Sequence, residues 1–221
     1  MMGRQWNDGI RPIYVYRSCI ALVTISNRFL RSHPVGRGFA LTTGALLMCV
    51  GLAGGWAMGL QMVGNVHVVE DGTLYRSAQL NEEKLAGVIA TYGIKSVINL
   101  RGENRGLWWY DNEVEVTAMH GVSHFDVRMT ALRDTDDAIV TQLMETMRTA
   151  PRPMLIHCES GSDRTGLASA LYERFVKERP AEVTARQISF RYGHFPWLGN
   201  RTVAMDRTYW RLSADGLPAS E

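Results

Sequence analysis

The chain has 221 residues, 24 Lys and Arg against 22 Asp and Glu, a net charge of +2 and 46% hydrophobic residues. That balance excludes an acidic disordered protein, a collagen-like repeat and, with 3 cysteines, a disulfide-stapled miniprotein. A charge so close to zero gives no ground for nucleic-acid binding, and none is expected.

The charge is unevenly spread. Residues 1–37 carry Arg4, Arg11, Arg17, Arg28, Arg31 and Arg37 against one acid, Asp8. From there to Glu70 no Asp, Glu, Lys or Arg occurs, and residues 38–64 are apolar but for threonines and Gln61. That run exceeds the roughly 20 apolar residues a spanning helix needs, with Gly and Ala spaced as lipid-embedded helices accept. The expected organisation is a basic cytoplasmic arm (1–37), one transmembrane signal anchor (38–64) and one folded domain (66–221). A cleaved signal peptide is the rival, weakened by the long arm and the poor cleavage site at Gly55-Trp56-Ala57. A buried helix of a soluble domain is weaker still, because the run has no polar face. Basic flanks stay in the cytoplasm, so the domain is expected on the far side of the membrane. Cys19 lies in the arm, Cys49 in the span and Cys158 alone in the domain, which leaves no disulfide framework.

Along the domain, Val66 to Val69 and Leu74 to Arg76 read as short strands around the turn Asp71-Gly72. Asn81 is placed to cap a helix through Tyr92 that Gly93 ends, and Ser96 to Leu100 has a buried-strand pattern. A helix from Leu107 to His120 precedes a strand from Ser123 to Val127, and a helix from Asp136 to Thr149 is broken by Pro151 and Pro153. Met154 to His157 is a further strand, followed by helices from Gly166 to Lys177, Pro180 to Phe190 and Thr202 to Leu212. Alternating strands and helices predict an α/β fold with a mostly parallel central sheet flanked by helices, preceded by one transmembrane helix.

The chemistry is concentrated in His157-Cys158-Glu159-Ser160-Gly161-Ser162-Asp163-Arg164-Thr165-Gly166, between a strand and a helix. A loop this short, running into a helix N-terminus, can aim successive backbone N–H groups at a tetrahedral oxyanion. The same amides and dipole favour the thiolate of Cys158, which can then attack phosphorus. Gly161 permits the tight curvature, and the planar fork of Arg164 matches two phosphate oxygens. Thr165 is placed to donate its hydroxyl to the thiolate, His157 to orient the loop, and Gly166 to let the helix start close to the sheet. A lone Cys after a strand is ordinarily core and a lone Arg a solvated charge. Their spacing, the two glycines and the strand-to-helix context together point to a phosphate-binding nucleophile loop.

On these residues the chain resembles the Cys-dependent protein tyrosine phosphatases, and within them the bacterial dual-specificity-like branch. HCESGSDRTG matches that family's HCxxGxxRTG signature in full, and the segments LYRSAQ (74–79) and GIKSVINLRGE (93–103) are similar to stretches ahead of it in bacterial members. The resemblance covers roughly residues 66–190. It implies a phosphocysteine formed on Cys158, phosphoryl oxygens held by Arg164 and by the amides of Glu159, Ser160, Gly161, Ser162, Asp163 and Arg164, and no metal or cofactor. It also implies a bacterial inner-membrane protein whose catalytic domain faces the periplasm.

The leaving oxygen needs a proton, which the family takes from an Asp on a loop ahead of the helix before the Cys strand. Asp134 is the first choice and Asp136 the second; Asp137 and Asp126 remain candidates, although an Asp in a helix's first turn also favours the helix dipole. Arg76 and Arg101 end strands where the sites of open parallel sheets gather, and either widens phosphate recognition or braces the loop through Glu103. Trp108-Trp109-Tyr110 and Phe195-Pro196-Trp197 either wall a cleft or belong to the core. His67, His120, His124 and His194 have no metal-ligand spacing and receive no role. The loop itself holds no Lys, which suits a phosphomonoester better than a highly charged ring. A phosphorylated protein is the expected substrate, with a phospholipid phosphate as the alternative and a phosphate-binding module without catalysis ranked behind both.

Overall fold

The computed structural model describes residues 34–197 and 199–218, so most of the expected arm, with Cys19, lies outside the described residues. A helix, α1 (Pro34–Met62), opens the described chain, with proline where a helix tolerates it. Its stretch Leu41–Met62 is long and apolar enough to cross a membrane. The second compact unit begins at Trp56, so the last two turns of α1 belong to it, ahead of the boundary expected at residue 66.

That unit carries β1 (His67–Glu70), β2 (Leu74–Ser77), α2 (Glu82–Tyr92), β3 (Ser96–Asn99), α3 (Trp108–Met119), β4 (Ser123–Asp126), α4 (Asp137–Thr149), β5 (Met154–His157), α5 (Asp163–Phe175), a short α6 (Ala181–Thr184) and α7 (Val203–Asp215). The sheet order is β1-β2-β5-β3-β4, and every pair but β1–β2 is parallel. Asn81 caps α2 by accepting from the Lys84 amide at 3.0 Å, and Gly93 closes it at φ +62°.

β2, β3 and β5 are buried along their whole lengths, as central strands covered on both faces must be. Their side chains alternate between two cores. Leu74, Ile98, Met154 and Ile156 join Val140, Leu143, Leu171, Tyr172 and Tyr209 on one face. Tyr75, Val97 and Leu155 join Leu85, Ile89, Val116 and Val122 on the other.

Two expected helices differ. α5 begins at Asp163 and not at Gly166, which puts Asp163, Arg164 and Thr165 in its first turn. The helix expected over Pro180 to Phe190 is α6 followed by 3-10 turns at Ala185–Gln187 and Phe190–Tyr192. The break has a cause: buried Arg76 takes the Gln187 carbonyl at 2.8 Å and its side-chain oxygen at 2.7 Å, removing that carbonyl from a helical ladder.

Register decides where chemistry can occur. His157 stands level with Ser77 on one side and Asn99 on the other, and Asn99 is level with Asp126. Four parallel strands therefore end on one line, and the loops leaving them share one edge of the sheet, where open parallel sheets place ligands.

Candidate active site

The loop from β5 to α5 is fixed from behind through its carbonyls. The Glu159 carbonyl accepts from the Gln79 amide at 3.0 Å, and that of Ser160 accepts from the side chains of Gln61 and Asn65, both at 3.0 Å. The Gly161 carbonyl accepts from Arg76 Nη2 at 2.8 Å, and that of Ser162 from the Gly166 amide at 2.9 Å. With the carbonyls turned outward, the amides between them face the other way. Among the described residues the backbone N–H groups of Glu159, Ser160, Gly161, Asp163 and Arg164 donate to no protein acceptor. Such a ring of unpaired donors, closed by a helix N-terminus, is a nest for an oxyanion.

Gly161 sits at φ +72°, and a Cβ there would come within 2.6 Å of the Ala78 amide nitrogen. Only glycine fits both demands. Gly166 is just as confined, since a Cβ would approach the Gln187 carbonyl oxygen to 2.9 Å. Cys158 is buried at the start of the loop. Arg164 lines a cleft with Glu159 and Ser160 and donates only weakly, to the carbonyls of Leu100 at 3.5 Å and Met129 at 3.4 Å, which leaves its guanidinium largely uncommitted. The buried Thr165 hydroxyl, expected to serve the thiolate, has no hydrogen-bond partner among the described residues.

Arg76 is wholly buried, lies 3.8 Å from the centroid of the Tyr192 ring and braces the loop through Gly161. Bracing does not pass through Glu103, which pairs with exposed Arg105. Burial lowers the Arg76 guanidinium to about 10, against the opposing pull of Tyr192, Cys158 and Glu173.

A second brace centres on Glu113, which sequence reasoning passed over. This buried carboxylate accepts from Gln79 Nε2 at 2.5 Å, His124 Nε2 at 2.8 Å and His157 Nε2 at 3.1 Å. Burial alone would raise it, but the charge of His157 and the hydrogen bonds from both imidazoles hold it far below the usual carboxylate range. His157 Nδ1 lies 3.3 Å from the Cys158 carbonyl, so the expected orienting role of His157 has a physical route. The polar run at i, i+11 and i+44 around Glu113 leaves no local signature, which is why it was missed.

His194, given no role from spacing, bridges α5 and α7: Nδ1 is 2.7 Å from Asp163 and Nε2 is 2.8 Å from Asp206. Burial opposes its charge, yet the two carboxylates raise it to about 9.

Of the four Asp candidates, Asp134 and Asp136 line a cleft with Arg164. Both oxygens of Asp134 are engaged by Arg207, at 2.7 Å for the closest contact, whereas Asp136 makes no side-chain hydrogen bond among the described residues. Asp137 pairs with Arg211 at 2.8 Å, and Asp126 accepts from Tyr110 at 2.6 Å and Asn99 at 2.8 Å, so neither is brought into that cleft. Arg101 reaches it from the end of β3, stacked 3.5 Å from the centroid of Trp109. Arg128 and Arg133, also unnoticed in the sequence, complete its cationic wall. Among the described residues no group of three or more His, Cys, Asp or Glu is placed to hold a metal ion.

Residues 58–185 match the model of a tyrosine phosphatase family. The chain is 31% identical over 107 residues to the dual specificity protein phosphatase TpbA of two Pseudomonas aeruginosa strains, a match covering 48% of this chain and 44% of each relative. It thus spans under half the length of those relatives. Among solved structures, that of P. aeruginosa TpbA superposes with a TM-score of 0.51 at 21% identity, covering 69% of this chain and 90% of that one. The catalytic core of the PP-IP phosphatase SIW14 from S. cerevisiae gives 0.52 at 19% identity over 68% and 91%, and PTPMT1 gives 0.52 at 14% identity over 68% and 97%. At such identities the structural likeness establishes the fold alone.

Proposed function

We propose that the chain, which belongs to the tyrosine phosphatase family, is a phosphomonoester phosphatase that works through a phosphocysteine on Cys158. The observation that carries this reading is the loop whose carbonyls are tied outward to Gln79, Gln61, Asn65 and Arg76 while the amides of Glu159, Ser160, Gly161, Asp163 and Arg164 stay unpaired among the described residues.

The thiolate of Cys158 attacks phosphorus in line with the ester oxygen; the S–P bond forms as the P–O bond breaks. Arg164 and the amides of residues 159–164 hold the three equatorial oxygens, where transition-state charge gathers. The departing oxygen takes a proton from an Asp of the cleft. Asp136 fits this role ahead of Asp134, because a free carboxyl hands over its proton without first leaving an ion pair with Arg207. Water then attacks the phosphocysteine, its proton passes to the same carboxylate, and phosphate leaves with the thiolate restored. The positive charge comes from peptide dipoles and Arg164, so the scheme calls for no metal or cofactor.

α1 anchors the enzyme in the bacterial inner membrane through residues 38–64, and the basic flank sets the catalytic unit on the periplasmic side. Phosphotyrosine or dual-specificity phosphoproteins are the first substrate class, in keeping with the family. A phospholipid phosphate is the second reading, and one contact favours it: Gln61, in the last turn of the apolar helix, bonds directly to the catalytic loop at Ser160. The test is hydrolysis of para-nitrophenyl phosphate by the purified chain. Turnover that survives chelation and disappears in Cys158→Ser is expected; turnover that persists in Cys158→Ser defeats the scheme. A reporter fused after Glu221 reads the sidedness.

A further inference from the structure

The cleft beside Arg164 is lined by three more arginines, Arg101, Arg128 and Arg133. Their origin is regular. Arg101 follows β3 and Arg128 follows β4, Arg164 opens the helix after β5, and these three strands are neighbours whose ends lie level. Parallel strands are spaced by about 5 Å, so the cations extend from the phosphate loop across the sheet edge over about 5–10 Å.

Among the described residues none of the four forms an ion pair. Arg101 donates to the Gln79 amide oxygen at 3.2 Å and stacks on Trp109. Arg128 donates to the backbone carbonyl of Glu103. Arg133 has no side-chain partner among the described residues, and Arg164 reaches only two distant carbonyls. Glu159 and Glu113 are the carboxylates whose charges reach Arg101; Glu159 is exposed, and Glu113 is committed to Gln79, His124 and His157. Two carboxylates line the cleft: Asp134 is occupied by Arg207, which leaves Asp136 unpaired among the described residues, and exposed Glu159 borders the same arginines from the Arg164 side. One phosphoryl group uses the loop amides and Arg164. The remaining guanidinium forks, matched in shape to phosphate oxygens, have no ion-pair partner among the described residues.

From this arrangement, and resting on the phosphocysteine reading while departing from its first substrate class, we infer that Arg101, Arg128 and Arg133 form a second anion subsite that selects a phosphomonoester bearing a second phosphate about 5–10 Å from the scissile phosphorus on the β3–β4 side. Beyond Arg164 the loop itself holds no cation, and the further guanidinium groups come from residues that follow neighbouring strands.

The second phosphate has two sources, a lipid head group or a soluble bisphosphate, and matched pairs separate them. The full chain in detergent micelles is assayed with phosphatidic acid against phosphatidylglycerol phosphate, and with glucose 6-phosphate against fructose 1,6-bisphosphate. The same pairs are repeated with Arg133→Ala and with Arg128→Ala/Arg133→Ala, both at exposed positions. The expected result is a kcat/KM ratio of about tenfold or more in favour of the second member of at least one pair, carried by KM and falling toward one in the double variant. The pair that responds names the source. Equal rates within both pairs, a ratio untouched by the arginine variants, or a phosphotyrosine peptide outpacing every bisphosphate would overturn the subsite. Turnover of para-nitrophenyl phosphate that depends on Cys158 would, in each of those cases, leave the phosphocysteine reading intact; its absence sinks that reading instead.

Discussion

Asn65 donates its side-chain amide to the carbonyl of Ser160 at 3.0 Å and to that of Tyr192 at 2.9 Å, while its own oxygen lies 2.9 Å from His67 Nε2. A fully buried residue just past the apolar helix thus sets the Ser160–Gly161 peptide, whose N–H faces the phosphate nest. Loss of that side chain leaves at least the Tyr192 carbonyl unpaired, at a cost of about 1–3 kcal/mol. Asn65 also sits at φ +46°, so alanine would add backbone strain that glycine avoids.

The expected outcome is that Asn65→Gly lowers kcat for para-nitrophenyl phosphate more than it raises KM, and lowers the thermal midpoint. Gln61→Ala, at an exposed position, should do less. Wild-type kcat in Asn65→Gly would show that the loop carbonyl needs no such anchor.

The acid assignment is separable by leaving group. With a poor leaving group such as an alkyl phosphate, Asp136→Asn is expected to cost about 10²–10⁴ in kcat, and far less with para-nitrophenol, which departs without a proton. Asp134→Asn should behave alike toward both leaving groups, because it removes an exposed pair with Arg207 worth little to stability. The reverse pattern would transfer the role to Asp134.

The His194 bridge predicts a pH dependence of stability. Its folded value of about 9 lies above the ordinary 6.5. The bridge therefore contributes fully below about 6.5 and loses its contribution as pH rises through about 9. Thermal midpoints between pH 6 and 10 should fall across that window in the wild type, and His194→Gln should flatten this part of the curve. An unchanged slope in His194→Gln would assign the decline elsewhere.

What could be read from the sequence was local. Cys158, Gly161 and Arg164 declare themselves because loop, strand and helix are contiguous, and Asn81 and Gly93 mark α2 by side-chain chemistry within three or four positions. The braces could not be read that way. Asn65 and Ser160 are 95 positions apart, Arg76 and Gln187 are 111 apart, and Glu113 and His157 are 44 apart. Each pairing exists only after β2, β3 and β5 align. The break of the Pro180 to Phe190 helix has the same origin, since residues with ordinary helical patterning yield to a buried guanidinium that claims one carbonyl. The cationic wall was hidden for a related reason: Arg101, Arg128 and Arg164 are remote in sequence and become neighbours through the order β5-β3-β4.

The central claim concerns one sulfur atom. Rapid alkaline denaturing quench of the wild-type chain during turnover, followed by peptide mass spectrometry, should find a phosphoryl adduct on the peptide containing Cys158, at higher occupancy when Asp136→Asn slows breakdown of the intermediate. A phosphoryl group carried by another residue, or full turnover with no adduct in either protein, would contradict the account.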